Sequence, residues 1–550
     1  MYKKKVLFCS EASYLNTGYS TMTHEILLRL HNTGKYDIAE LATYGMAKDP
    51  RIYDIPWTFF PNMPTPGNTD EQQAYESKSS NQFGEWKFEE TCLKFRPDVV
   101  IDFRDPWMCQ FELYSPFRRF YQLLWMPTVD AYPQDAAWLS DYSRADAVLT
   151  YTNFGARTLT RQAGNSIKQV GVASPGIDTT TFFPAKDKAA HKKSMGFSPD
   201  KMIIGTVIRN QKRKLYPDIL DIFQKFLEKA PIEIAKKSYL YLHTAYPDVG
   251  WNIPQLLKEF GVSHRVLFTY LCRHCNYITG GQYCDVYVTC PRCKTNNLIT
   301  PNPQHGLSRQ HLAQIYNLMD VYLQYSVSEG FGIPVLEAAA CGVPVMVVNY
   351  SGMEDFPETI GAIPIRPLKC PKEVETHRNM AVPDNNQCID ELIKFMSLPK
   401  TVQQKKGIET YMKCKAHYDW NTIIKVWEQS IDNLPTKPHL ETWESPPQIY
   451  SQHLVMPDNL SNEDFVRWAI INIANEPSLI NSYIESKFIK DLNYGQMSEF
   501  TGYPYFSDLS AIGVRPKMRE FNRDNIIKEM MNFINHKNYW EEKRVTLLQK

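Results

Sequence analysis

Short apolar runs alternate with segments of helical period from Val6 to about Ile431. Val6–Cys9, Val99–Phe103, Leu123–Pro127 and Ala147–Thr150 read as buried strands of a first set. Met202–Val207, Leu240–His243, Arg265–Phe268, Val321–Tyr325 and Val345–Val348 form a second set. Strand and helix in strict alternation predict α/β layers built on parallel sheets. Two such sets predict two doubly wound domains facing a cleft, with ligands at the carboxyl ends of the strands. The polar, lysine-rich stretch Ala185–Ser198 reads as the connection between them. Asn433–Pro457 is rich in Pro, Ser and charge and reads as a linker. Beyond it, Ser461-Asn462-Glu463-Asp464 resembles a capping box ahead of Phe465, Trp468 and Ala469. Ile526, Ile527, Met530, Phe533 and Ile534 have helical spacing, so 458–550 is expected to be a helical appendix.

The densest chemistry lies between the strand at Val321–Tyr325 and the strand at Val345–Val348. Glu329 and Glu337 stand with seven residues between them, across Gly330, Gly332 and Pro334. Pro334 suits the first turn of a helix, where its missing N–H costs nothing. A strand-turn-helix unit of this kind presents unpaired backbone N–H groups and a dipole to an anion. Glu329, before the turn, could reach a bound sugar, and Glu337, one turn into the helix, could accept from ribose hydroxyls. The pattern therefore suits a nucleoside diphosphate sugar. Two incidental glutamates on a buried strand-helix unit are the bland alternative, which the three turn residues between them weaken.

A second constellation follows the strand Met202–Val207. Arg209, Lys212, Arg213 and Lys214 crowd one loop, where fixed cations could stabilise a departing diphosphate. Thr17-Gly18-Tyr19-Ser20-Thr21 opens the first helix of the first domain. Asp130 follows the strand Leu123–Pro127 and faces the cleft by topology, with Asp102 and Asp105 as weaker candidates of the same kind.

The segment Ser328–Pro344 resembles the Glu-seven residues-Glu motif of retaining glycosyltransferases of the GT-B fold, family 4 (glycosyl transferases group 1). Ser174-Pro175-Gly176-Ile177-Asp178 and Phe182-Phe183-Pro184 resemble that family's turn at the end of its first domain. Tyr246–Trp251 resembles a loop near the donor, and Tyr350–Asp355 a structural glycine turn. The resemblance spans about residues 1–432 without one insert. It implies 1–184 as an acceptor-side domain, 199–418 as a nucleotide-sugar domain, and a helix at 419–432 that crosses back to the first. It implies Arg209 and Lys214 as the cation pair, with Lys212 and Arg213 as rivals. Glu329, Arg209, Lys214 and Asp130 would be the catalytic set. Gly18, Arg209, Lys214, Gly332, Ile333 and Glu337 would hold the donor. A UDP- or GDP-sugar is the expected donor, transfer would retain configuration, and no catalytic metal is expected.

The insert at 271–300 departs from that pattern. Cys272-Arg273-His274-Cys275 and Cys290-Pro291-Arg292-Cys293 are separated by fourteen residues. Four thiolates at this spacing can close a tetrahedral, structural zinc site between two turns. Tyr283–Thr289 is expected as the hairpin strand between the pairs, and Cys284 and His274 are spare ligands. Four sulfurs leave no open position for catalysis.

Composition narrows the partners. The 550 residues carry a formal net charge of +1, so no bulk field draws the chain to nucleic acid or a membrane. Met1–Lys5 run straight into a strand, and no uninterrupted apolar stretch is long enough to span a bilayer. The expectation is a cytoplasmic protein in a reducing compartment. Its acceptor is open: a polysaccharide, a protein or a nucleic acid. A rival is a catalytically inactive glycosyltransferase-like binding protein that recognises a partner or nucleic acid through the ribbon. The complete polar set of Arg209, Lys214, Glu329 and Glu337 favours the enzyme.

Overall fold

The computed structural model describes residues 2–436 (apart from 16, 116, 169, 285–288, 303, 304 and 375), 460–473 and 489. The chain divides into two compact units. The first comprises Met1–Thr91, Pro97–Leu113 and Tyr121–Lys437 and holds both sheets.

The first sheet is built from β1 (Lys4–Glu11), β2 (Tyr36–Thr43), β3 (Thr58–Pro61), β4 (Val99–Asp102), β5 (Gln122–Trp125), β6 (Ala147–Thr150) and β7 (Val170–Val172). All pairings are parallel, in the order β3-β2-β1-β4-β5-β6-β7. Val6, Leu7, Phe8 and Cys9 of β1 have no exposed surface, as both faces of a parallel sheet must be covered by helices. The second sheet contains β8 (Met202–Val207), β9 (Ser238–His243), β10 (Val266–Cys272), β11 (Ile278–Gly281), β12 (Leu298–Ile299), β13 (Val321–Gln324), β14 (Val345–Val348) and β15 (Ile363–Ile365). Its order is β11-β10-β9-β8-β13-β14-β15, with β12 also on β10. The two doubly wound domains expected from the alternation of patterns are thus present.

The direction of winding reverses between β8 and β13. Loops leaving the carboxyl ends of those two strands diverge and leave a crevice, the place where open α/β sheets bind ligands. The basic loop follows β8 and the acidic turn follows β13, so topology alone brings the two loops side by side.

Helix Trp420–Asn433 packs on the first sheet's elements although it follows the second in sequence. Trp427 is fully buried against Phe8, ring centroids 6.2 Å apart. Lys4 donates to the carbonyls of Ile431 at 2.8 Å and Leu434 at 2.7 Å, and Tyr36 donates to Asp432 at 2.7 Å. The Gly176 position lies under Trp420, where a Cβ would come within 2.4 Å of the indole. The segment Ala185–Ser198, read as the connection, is partly helical. It contains helix Lys188–Ser194, docked by Lys192, which donates to Asp320 at 2.6 Å. Asp320 also accepts from Ile203 at 2.8 Å, so one buried carboxylate ties the helix to the second sheet. Periodicity could not reveal this, because the anchor is a lysine on a short polar helix.

In the second unit the described helix is Asn462–Ile473. Ser461 Oγ accepts from Asp464 N at 3.0 Å, the expected capping interaction, and Phe465 is buried. The expected helix around Ile526–Ile534 lies outside the described residues. Among the described residues no helix is long and apolar enough to cross a membrane.

Candidate functional site

The acidic turn is fixed by its backbone. Glu329 N donates to Ser351 Oγ at 2.9 Å, and Gly352 N donates back to Glu329 O at 3.0 Å. Gly352 is required there, since a Cβ would lie 2.4 Å from Gly330 O. Helix Ile333–Ala340 begins one residue before Pro334, and Gly332 caps it at φ 105°, a left-handed value that favours glycine. Glu329 and the helix start are thereby presented at the carboxyl end of β13.

Glu329 is 5% exposed, and its carboxylate is surrounded by donors. Lys214 Nζ donates to one oxygen, which also accepts from Gln324 Nε2 at 2.9 Å; Arg213 Nη1 donates to the other at 3.0 Å. Burial alone would raise this acid, but the charges of Lys214 and Arg213 outweigh it and hold the carboxyl at about 2. Burial lowers Lys214 despite the partner, whereas Arg213 is raised because Glu329 overrides its desolvation. The structure therefore brings Lys214, Arg213 and Glu329 together. Arg209 stands apart: its Nε and Nη2 are clamped by Asp248 at 2.9 and 3.1 Å, and its side chain is half exposed.

Glu337 accepts from the buried hydroxyl of Tyr316 at 2.8 Å. The side chain still reaches solvent, but the protein packed around its carboxyl raises it to about 7. Tyr316 was not singled out by the motif, because nothing in local spacing marks a tyrosine twenty-one residues upstream.

On the first domain's side, Thr17 caps helix Gly18–Asn32 by accepting from Ser20 N at 3.2 Å. A Cβ at Gly18 would meet nothing, so the helix starts against open space. Tyr19 and Thr128 approach at 3.4 Å between their hydroxyls. Across the cleft, a Cβ at Gly330 would lie 2.6 Å from Thr128 Cγ2, so the two domains touch beside Glu329. The turn after β14, expected to be structural, also spans the domains: Asp355 accepts from Asn153 N at 2.7 Å and Glu354 from Arg157 at 2.8 Å.

Asp130 is not an open carboxylate. Arg378 Nη1 donates to it at 2.5 Å, and Arg378 lies 5.5 Å from the ring of Trp138. Burial still raises the acid, opposed by Arg378 and then Arg213. Arg378 belongs to a strap between the paired strands Pro367–Lys369 and Val382–Pro383. Asn379 N donates to Tyr132 O at 2.9 Å, Tyr350 donates to Asn379 O at 2.6 Å, and Ala381 N donates to Val327 O at 2.9 Å. The strap and the basic loop line a pocket of about 550 Å³ that includes Lys212, Arg213, Val327, Lys372 and Met380. Sequence reasoning missed this strap, since a charged loop without periodicity carries no sign of what it crosses.

Asp102 is paired with Arg104, both at most 2% exposed, and lies near Cys109 and Glu112. The guanidinium already supplies the positive charge that this acidic pair would ask of a metal.

The four paired cysteines converge, as their spacing implies. Their sulfurs lie within 4.8 Å of one another, with Cys272–Cys293 at 3.5 Å and Cys275–Cys290 at 3.7 Å. Each pair sits in the same turn: Asn276 N donates to Cys272 O, and Lys294 N to Cys290 O, both at 2.9 Å. Asn276 and Lys294 take φ of 55° and 62°. The arrangement can hold a metal ion. The strand that pairs antiparallel with β10 here is Ile278–Gly281, directly after the first turn. Residues 285–288 lie outside the described part, and Tyr283 and Cys284 are in no strand. This pairing follows from the length of β10, which runs to Cys272, so its partner enters straight from the first turn.

Residues 303–358 match the family model for glycosyl transferases group 1. D-inositol 3-phosphate glycosyltransferases are similar over part of the chain. That of Mycobacterium sp. (strain KMS) is 28% identical over 212 residues, and that of Nocardia farcinica 26% over 220. The matched part is 38% of this chain and spans 38–39% of the length of these relatives. Among solved structures, sucrose-phosphate synthase from Thermosynechococcus elongatus superimposes with a TM-score of 0.56 at 15% identity, covering 79% of this chain and 99% of its own. Anabaena Alr3699/HepE in complex with UDP and glucose gives 0.53 at 14%, covering 78% and 100%. These likenesses show the two-domain GT-B fold.

Proposed function

We propose that the protein transfers a sugar, with retention, from a nucleoside diphosphate sugar to an acceptor hydroxyl. The observation that carries this reading is the convergence of Lys214, Arg213 and Glu329 beside the start of helix Ile333–Ala340, with Glu337 one turn in. The match over 303–358 to glycosyl transferases group 1 supports it, because that segment contains both glutamates. The relatives' names suggest transfer to a hydroxyl of a small polar acceptor, and HepE was solved with UDP, which supports a UDP-sugar. A GDP-sugar remains the second donor to try.

In this reading Arg209, Lys214 and the amides at Gly332 and Ile333 hold the diphosphate. Glu329 orients the sugar and Glu337 accepts from the ribose. Gly18 leaves room for the donor from the opposite side. As the bond from the anomeric carbon to the phosphate oxygen breaks, cations and helix amides take up the developing negative charge. The acceptor oxygen bonds to the same face of that carbon, and its proton passes to the departing phosphate. Asp130, held by Arg378, lines the acceptor side.

We assign zinc to the four cysteines. Tetrahedral Zn–S bonds of about 2.3 Å place sulfurs about 3.8 Å apart, close to the two short separations seen. When bound, the ion would cross-link the two turns of the insert and leave no position for substrate. A reducing, cytoplasmic setting would keep the thiols available as ligands.

The test is nucleotide release from UDP-, GDP-, ADP- and dTDP-sugars, with wild type beside Glu329→Gln. Release from one donor, lost in the variant, is expected. No release and no thermal stabilisation by any nucleotide would overturn the reading in favour of a binding protein.

A further inference from the structure

We propose that the cysteine ribbon is a positioning device for the donor cation Arg209, acting through Tyr283 and the loop 246–252. This rests on the transferase reading above and names how its donor site is held. The path is a set of direct contacts. Tyr270 Oη donates to Gln282 O and accepts from Cys284 N, both at 2.9 Å, so one strand residue clips the backbone on either side of Tyr283. The clip presents the Tyr283 ring edge-on to Phe268, at 5.4 Å, and to Tyr246, at 5.8 Å and 83°. Thr300 Oγ1 donates to Tyr246 O at 3.4 Å. Tyr283 and Thr300, which both touch Tyr246, flank the second cysteine pair, Cys290 and Cys293, in sequence, while Phe268 shares β10 with Cys272. A metal that closes the four sulfurs fixes both flanks.

From Tyr246 the contacts run to the cation. Tyr246 donates to Asn252 at 3.0 Å. Two residues after Tyr246, Asp248 binds Arg209 through Nε and Nη2, which sets the guanidinium plane and leaves Nη1 for an anion. Trp251 and Asn210 exchange two hydrogen bonds of 2.8 Å, and Trp251 Nε1 donates to Lys212 O at 3.1 Å. The loop thus holds the basic segment at Arg209, Asn210 and Lys212. Gly250 makes the approach possible, since a Cβ there would lie 2.4 Å from Asn210 Oδ1. An exposed arginine on a long side chain loses much rotamer freedom when it binds phosphate, and a clamp that has already ordered it reduces that cost.

The experiment measures UDP and GDP binding, donor KM, kcat and zinc content in wild type, Tyr283→Ala, Tyr283→Phe and Asp248→Asn. Expected is about tenfold weaker donor binding in Tyr283→Ala, near 1.4 kcal/mol, with kcat lowered as well, because Arg209 also meets the charge that develops on the departing diphosphate, and with zinc retained. Asp248→Asn should reproduce that pattern, and Tyr283→Phe, which keeps the ring contacts to Phe268 and Tyr246, should bind donor clearly better than Tyr283→Ala. Unchanged donor binding in Tyr283→Ala, while wild type binds nucleotide, would overturn the relay alone. Zinc lost together with affinity would make Tyr283 part of the metal fold and also overturn it. No nucleotide binding by wild type would overturn the transferase reading and the relay with it.

Discussion

Asp130 and Arg378 meet across the cleft at 2.5 Å, one from the loop after β5 and the other from the strap beyond β15. Both side chains are largely buried, at 23% and 15% exposure, so their attraction is screened less than that of a surface pair. A double-mutant cycle with Asp130→Asn and Arg378→Ala should give a coupling of about 1–3 kcal/mol in thermal or denaturant unfolding. Additive effects would show that the strap is held by its backbone contacts alone.

Glu329 separates two kinds of failure. Glu329→Ala leaves Lys214 buried without its counter-charge, and removing one partner of such a pair costs about 3–5 kcal/mol. Glu329→Gln keeps the volume and an acceptor oxygen, so it should unfold at a milder cost while losing nucleotide release. The pH sign follows from the depressed carboxyl. Its contribution to stability is present above the ordinary glutamate range and is lost as pH falls through that range toward about 2. Acid unfolding followed in wild type and in Glu329→Gln should show the variant losing less stability on acidification.

Glu337 gives the opposite dependence. With its carboxyl raised to about 7, the folded protein carries it protonated over much of the range in which the unfolded chain ionises it. Stability therefore falls as pH rises from about 4.5 to about 7 and then levels. Ribose hydroxyls donate best to the ionised form, so donor binding should strengthen by up to about tenfold between pH 6 and pH 8. Glu337→Gln should flatten that profile in calorimetric titrations.

Gly330 tests how tightly the cleft must meet. Gly330→Ala drives a methyl to 2.6 Å from Thr128 Cγ2, an overpacking that costs about 1–3 kcal/mol. The release rate should fall, and Thr128→Ser, which removes that methyl, should restore it in the double variant. No rescue would place the strain elsewhere.

The metal assignment predicts one zinc per chain by elemental analysis. Cys275→Ser or a chelator should lower the unfolding temperature by several degrees, because metal binding free energy contributes to folding. A zinc-free preparation of unchanged stability would sink the assignment.

The legible parts of this chain were those in which a local pattern carries the physics. Apolar runs such as Val345–Val348 betray buried strands, turn chemistry around Gly332 marks a helix start, and paired cysteines announce one another by spacing. The topology then did the rest for Glu329 and Lys214, which lie 115 residues apart. What stayed hidden depends on long-range partners. Arg213 joins Lys214 on Glu329, at the other carboxylate oxygen, only once the loop is folded, and Arg209 turns to Asp248 for the same reason. Tyr316 beneath Glu337, Arg378 on Asp130 and Lys192 on Asp320 are single polar residues whose meaning lies wholly in what the fold sets opposite them.

Helix Trp420–Asn433 returns to the first domain directly beside the outgoing chain. Ile177 and Asp419 pair as a β-bridge, and Thr179 donates to Asp419 at 2.8 Å. Two strands of chain side by side behave like a pair of door pins. Rotation about the line through them keeps the two crossings paired, whereas twisting about any other direction pulls that pairing apart. Any opening of the two halves is thereby steered onto one axis.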